Sequence, residues 1–194
     1  MGVDAADSAV KELGMTLFRY IVALAAILLL LAAALGAFAT LSAHEAAAAP
    51  GDSPSDPILI HNVSELQNMN LNLSAHYKLA NDIDASATSG WNGGAGFVPI
   101  GFNSSASFLG SFDGDGHTIT GLYINRPTLD HSGLFGHVGN STATTVIRNV
   151  HLEGTTVIGG PTGVGTLVGT VVGNANTLFE NCSSDNGSVS GGHA

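Results

Sequence analysis

The chain has 194 residues, five of them basic and fifteen acidic, for a formal charge of −10. So few cations cannot neutralise a phosphate backbone, which argues against nucleic acid as a partner. A single cysteine excludes a disulfide scaffold and any metal centre built on several thiolates.

In chain order the first predicted element is an uncharged apolar run at residues 21–39, IVALAAILLLLAAALGAFA. As a helix it would rise about 28 Å, close to the hydrocarbon thickness of a bilayer. Lys11 and Arg19 precede it and a run of four alanines at 46–49 follows. Residues 1–49 therefore read as a secretory signal peptide cleaved near Ala49 or, because the run exceeds an ordinary h-region, as an uncleaved signal anchor. Met15 would give a more ordinary start than Met1. Either way the rest is exported, so the expected location is secreted or cell-surface, and the membrane is touched only through this segment. Residues 50–57, PGDSPSDP, read as a Pro-rich linker. Two motifs fail on inspection. His44-Glu45-Ala46-Ala47-Ala48 lacks the second histidine of a zinc-protease helix, and Gly159-Gly160-Pro161-Thr162-Gly163 lacks the Lys-Ser/Thr of a phosphate loop.

Strands are predicted at 58–60, 77–79, 83 and 98–100. Ser64-Glu65-Leu66-Gln67 has the form of a capping box and predicts a short helix at 65–69 that covers the first coil. Repeats then decide the fold. Ile119-Thr-Gly-Leu-Tyr-Ile124, Ile147-Arg-Asn-Val-His-Leu152 and Phe179-Glu-Asn-Cys-Ser-Ser184 share one pattern, and each follows an apolar pair and a glycine: Phe108-Leu109-Gly110, Leu134-Phe135-Gly136 and Leu167-Val168-Gly169. The apolar phase slips at Gly121, Asn149 and Asn181, residue types that adopt a left-handed bend. Two short strands meeting at a recurring bend predict a parallel β-solenoid of roughly five coils over 58–194. Ile119, Ile147 and Phe179 would form one inward column, and Leu122, Val150 and Cys182 another, which makes Cys182 a small buried hydrophobe. The chain ends soon after a strand without a further Gly-Leu-Val-Gly string, so a fragment is expected, or a subunit whose last coil is covered by a partner or another copy.

Tyr77-Lys-Leu-Ala-Asn-Asp-Ile-Asp84, Phe97-Val-Pro-Ile-Gly101, Phe108-Leu-Gly-Ser-Phe-Asp-Gly-Asp-Gly-His-Thr-Ile119, Gly133-Leu-Phe-Gly136 and Thr166-Leu-Val-Gly169 together resemble the exported β-helix proteins that carry the GLUG motif. The last string departs from that core at its first position. The resemblance implies an all-β, right-handed parallel β-helix in a secreted or adhesin-like surface protein. Such modules also flank immunoglobulin A metallopeptidase domains, whose zinc signature is absent here, so protease activity does not carry over. The family supplies no catalytic residues.

The remaining chemistry is sparse, and the sequence reading assigns no catalytic, cofactor-binding or metal residue. Asp113-Gly-Asp115-Gly-His117 reads as a tight turn, with a calcium loop as the alternative. Asp82 and Asp84 share a face if extended and invite the same comparison, with strand-end hydrogen bonding the default. His131, His137 and His151 read as solvated or edge residues. Trp91 reads as folding over the solenoid end, with sugar stacking the alternative. Sequons at Asn62, Asn72, Asn103, Asn140, Asn181 and Asn186 follow from a composition rich in Asn, Ser and Thr. The expected function is a non-catalytic surface module for adhesion or display, with surface glycans or proteins as partners. A carbohydrate-active enzyme on the same scaffold and a spacer domain of a larger surface protein are the alternatives.

Overall fold

The computed structural model describes residues 49–142, 144–173 and 176–192, together with Leu17, Tyr20 and Leu24. Those three are helical and exposed; the rest of the apolar run at 21–39 lies outside the described residues. Among the described residues no helix is long and apolar enough to cross a membrane. The chain divides into two units, Met1–Ala47 and Ala48–Ala194, and the second carries the strands.

Those strands are short because inward apolar residues alternate with outward ones over only a few positions before the chain turns. They are β1 (Ile58–Ile60), β2 (His76–Leu79), β3 (Ile83–Asp84), β4 (Ser111–Asp113), β5 (Thr118–Thr120), β6 (Tyr123–Asn125), β7 (Phe135–Val138), β8 (Thr144–Arg148), β9 (His151–Glu153), β10 (Thr156–Gly159), β11 (Val168–Val171), β12 (Asn176–Glu180), β13 (Ser183–Asp185) and β14 (Ser188–Gly191). Helix α1 (Val63–Asn68) lies between β1 and β2. The strands stack in parallel as four sheets, in the orders β1-β2-β4-β8-β12, β3-β5-β9-β13, β6-β10-β14 and β7-β11. This is a β-solenoid.

The expectation of roughly five coils needs correction. Five strands stack on one side, but only β4–β6, β8–β10 and β12–β14 supply a strand to each of three sheets, which makes about three turns. Earlier in the chain, α1 and the two 3₁₀ turns within Ser86–Gly94 take the place of strands. The last two turns repeat after 32 residues: Thr144 pairs with Asn176, His151 with Ser183 and Thr156 with Ser188.

The register expected for the first repeat is one strand out. Ile147 does stack on Phe179, but the next member of that column is Phe112, followed by Tyr77. Ile119 instead stacks between Ile83 and Leu152. The two strings look alike because Ile119, Leu122 and Ile124 have the same spacing as Ile147, Val150 and Leu152. What separates them is the longer Asp113–His117 corner, which hydropathy does not register. The bends shift accordingly. Gly121 (φ +70°), Gly154 (+60°) and Asn186 (+51°) occupy one corner, and Asn149 (+53°) and Asn181 (+50°) occupy another. The glycine markers shift too. Gly136 and Gly169 stack as expected, but the preceding member is Gly101, since Ile100 bridges Phe135. These positions need glycine because a Cβ on Gly169 would collide with the backbone of His131, and one on Gly136 would lie 2.8 Å from the Gly101 carbonyl oxygen.

Helix α1 begins earlier than predicted. Its N-cap is Asn62, whose Oδ1 accepts the Glu65 amide at 3.0 Å while Nδ2 donates to Glu65 Oε1 at 2.8 Å. Asparagine serves this position as well as serine, and Glu65 reaches back past the cap, its Oε2 accepting the His61 amide at 2.7 Å. Leu66 and Met69 are fully buried, so the helix does cover the first turn. Gln67 fixes it in place, donating to the Val98 carbonyl at 2.9 Å and accepting the Val98 amide at 2.8 Å. Residues 98–100 form a single bridge at Ile100 rather than a strand; Pro99 has no amide proton to offer a ladder. The core is largely apolar, with Phe108, Phe112 and Phe135 fully buried and in contact around Phe135.

Candidate functional site

A concavity lies on the outward face of the five-stranded sheet. Strand alternation puts Leu59, Lys78, Asp113, Arg148 and Glu180 in one outward column, each beside the next across β1, β2, β4, β8 and β12. From Lys78 onward the charges alternate in sign. A second column carries His76, Ser111, Val146 and Leu178. The segment at Pro54, Ser55 and Pro57 flanks these columns and shapes a groove of about 380 Å³. That segment, read as a linker, is tied to the first turn by the His76 amide, which donates to the Gly51 carbonyl at 3.0 Å.

Asp113 is the hub of the groove. Its Oδ2 pairs with Arg148, at 2.8 Å from Nη2 and 2.9 Å from Nε, and its Oδ1 accepts Asn149 Nδ2 and the Asp115 amide, each at 2.9 Å. Its side chain is 16% exposed. Burial pushes the Asp113 carboxyl up, but the bonds from Asn149, the Asp115 amide and Arg148 outweigh it and hold the carboxyl below its ordinary value. A group held ionised in this way is the opposite of a general acid. Asp115 pairs with Lys78 at 2.8 Å. Asp115 (φ +53°) and Gly116 (+82°) are left-handed, and the His117 amide closes the turn on the Gly114 carbonyl at 2.8 Å. The string is therefore a tight turn, as predicted.

Asp82 reaches the same corner from the previous level, accepting the Thr118 amide at 3.0 Å and lying 3.2 Å from His117 Nδ1. Asp84 faces away and accepts the Ser86 amide at 2.9 Å. The structure thus brings Asp82 near the Asp113 turn but leaves Asp84 apart. Among the described residues, no group of three or more His, Cys, Asp or Glu is disposed to hold a metal ion.

The histidine reading needs correction. His131 and His137 are not solvated but pack edge to face, with ring centroids 4.7 Å apart. His137 is 6% exposed, its Nδ1 3.2 Å from the Gly101 carbonyl oxygen. His131 is half-buried in the left-handed region (φ +59°), and its Nδ1 is buried without a protein partner. The pair forms where the loop at 129–132, bonded to Thr162 and Gly163, lies against Gly169 of β11, a placement the sequence does not disclose. His151 remains half-exposed, 2.6 Å from Ser183 Oγ.

Trp91 is half-buried against the core rather than free in a loop. Arg126 is half-buried and donates to the carbonyls of Phe97 and Gly96 at 3.1 and 3.3 Å. Cys182 is inward and partly buried; Val150 lies beneath it, but Leu122 belongs to a different column. Among the sequons, Asn62 caps α1 and Asn181 Nδ2 donates to Asn149 Oδ1 at 3.2 Å. Asn72, Asn103 and Asn140 sit in turns and accept the amide two residues on, while Asn186 takes a corner. The charge column escaped sequence reading because its members lie 32 to 35 residues apart, a spacing with no meaning until the turn length is known.

Acid should destabilise the fold in two steps. Burial, aided by the charge of His131 and opposed by the Gly101 carbonyl, holds the His137 imidazole below its ordinary value. The unfolded chain then binds a proton that the folded chain refuses, so stability falls as pH drops below about 6.5. For Asp113, also lowered, stability is intact above about 4 and is lost as pH falls through its folded value. Urea midpoints across pH 7 to 2 check this. His137→Gln should flatten the first limb and Asp113→Asn the second; an unchanged profile in either variant removes that assignment.

No family model matches the chain, and no solved structure matches it. Its sequence is similar to part of a mucin-named protein. It is 39% identical over 143 residues to halomucin of Haloquadratum walsbyi, a match covering 72% of this chain and 2% of halomucin. It is 37% identical over 132 residues to a protein of Evansella cellulosilytica named as a Gly-rich membrane protein, covering 66% of this chain and 14% of that one. The chain therefore spans a small part of each relative's length.

Proposed function

We propose that this chain is a non-catalytic β-helix module of the GLUG type, exported through its apolar segment and displayed at the cell surface or secreted, where its flanks contact glycans or proteins. On this reading the solenoid is right-handed and residues 21–39 serve as the export signal or anchor. One observation carries the non-catalytic part. The four acids that the sequence offers as chemistry, Asp82, Asp84, Asp113 and Asp115, each accept a turn amide or pair with a basic side chain. Those bonds hold the carboxyls of Asp82, Asp84 and Asp113 below their ordinary value, the reverse of what a general acid needs. The names of the two relatives, a halomucin and a Gly-rich membrane protein, support a surface or membrane-associated location. A solenoid whose outward face carries a column of charges alternating in sign suits a display role.

Protease treatment of intact cells that produce the full chain tests the reading. Residues 50–194 should be cut or released while a cytoplasmic marker survives. A chain that is degraded only after lysis sinks the surface assignment. A glycan array probed with and without calcium then separates sugar contact from protein contact.

A further inference from the structure

The two ends of the solenoid are chemically unlike. At the first turn, α1 and the 3₁₀ turn after it pack on the core through Leu66 and Met69, both fully buried. At the last described turn the inward columns lie open. Phe179 is 40% exposed, whereas Ile147 and Phe112 in its column are fully buried. Val189 is 48% exposed, whereas Val157 and Ile124 in its column are fully buried.

Three ladders run into this open face, and each specifies its next member. The outward column reads Lys78, Asp113, Arg148, Glu180, so the position beyond Glu180 calls for a cation. At the corner, Asn149 Nδ2 donates to Asp113 Oδ1 and Asn181 Nδ2 donates to Asn149 Oδ1. Every donor points back along the stack, so a carboxamide on the next level would donate to Asn181 Oδ1. The inward column calls for an apolar residue over Phe179.

We propose that this face is a docking surface for one further solenoid coil, which enters parallel to β12 and reads apolar, Lys or Arg, Asn, apolar along its first corner. The chain's own Ile147-Arg148-Asn149-Val150 has that pattern. A second copy fits poorly in either orientation. End to end, the facing copy has no cation to bring to Glu180, since residues 176–192 contain no Lys or Arg. Head to tail, β1 would bring Leu59 rather than a cation to Glu180, with α1 crowding the approach. Both relatives contain far more chain than the matched stretch, so coils of this kind have room to exist beside it there.

Cys182 is the chain's single cysteine and lies inward in this last turn, which makes it a reporter. The test adds a synthetic peptide copying residues 144–175 to the full-length protein and follows maleimide labelling of Cys182. Labelling should slow at least 10-fold at saturation, with slowed amide exchange in β12–β14. A peptide carrying Glu at the Arg148 position should protect at least 5-fold less, and Glu180→Lys protein should reverse that preference. A protein with the same coil fused after residue 192 covers the case of a peptide that does not fold: its Cys182 should be protected without any addition. Unchanged labelling in the fusion overturns the proposal. Equal protection by both peptides, or protection that grows with protein concentration alone, overturns it as well, the latter by assigning the face to a second copy.

Discussion

Phe135→Ala is expected to cost about 3–5 kcal/mol, which is a large part of the stability of a domain this size. The side chain is fully buried, with its ring centroid 4.9 Å from Phe108 and 5.6 Å from Phe112. Those two rings come from opposite ends of the chain's passage between β7 and the five-stranded sheet. Removing Phe135 therefore empties the place where two sides of the solenoid meet, and neither neighbour can follow the gap because each is held by its own strand or bridge. Phe179→Ala is the comparison. It deletes the same side chain from a site that is 40% exposed, where collapse and solvent limit the loss to roughly 1 kcal/mol. Urea denaturation of the two variants measures the difference. Equal losses would mean that the last turn is covered in solution or that the aromatic cluster is not the centre of the core.

Gly110→Ala should be at least as severe, at roughly 3 kcal/mol or more, for a reason unrelated to flexibility. A Cβ at this position would fall inside the van der Waals contact of the Ala75 carbonyl oxygen and against the backbone of Ser74. The closeness is structural: the amides of Leu109 and Gly110 both donate to the Leu73 carbonyl, at 2.8 and 3.2 Å, which draws two backbones together where the chain enters β4. A methyl group there must push one level of the stack off the next. Gly90→Ala is the control, since a Cβ there meets nothing within 4 Å, and it should shift stability by less than about 0.5 kcal/mol. If both variants unfold at the same midpoint, the stacked levels are more loosely coupled than these contacts require.

Gly110 also shows what the sequence could and could not disclose. Alternation and the recurring Gly/Asn bends sufficed for a parallel solenoid, because apolar phase and left-handed corners are local properties. Register was not local. The strings beginning at Ile119 and Ile147 match position for position, and only the pairing of Phe112 with Ile147 reveals that they lie on different sides of the stack. The same confusion took Gly110 for the partner of Gly136, a place that belongs to Gly101. At the site, the tight turn at Asp113–His117 was legible from its Asp and Gly content. The Asp113–Arg148 pair and the His131–His137 contact were not. Both join residues from different levels or loops, and their positions depend on how many residues each corner consumes.

The capped first turn has a bearing on how such a chain acquires its structure. From β2 onward each strand pairs with one a single turn away, as Thr144 does with Asn176 and His76 with Ser111, so the sequence separation between partners stays near 32 to 36 residues however many turns follow. Folding time is governed by that separation more than by total length, and it need not grow as turns accumulate. Helix α1 seals the end that leaves the ribosome first, and the exposed edge always lies toward the residues still to be made. Assembly of the stack thus has a direction, and that direction is the one in which the protein is synthesised.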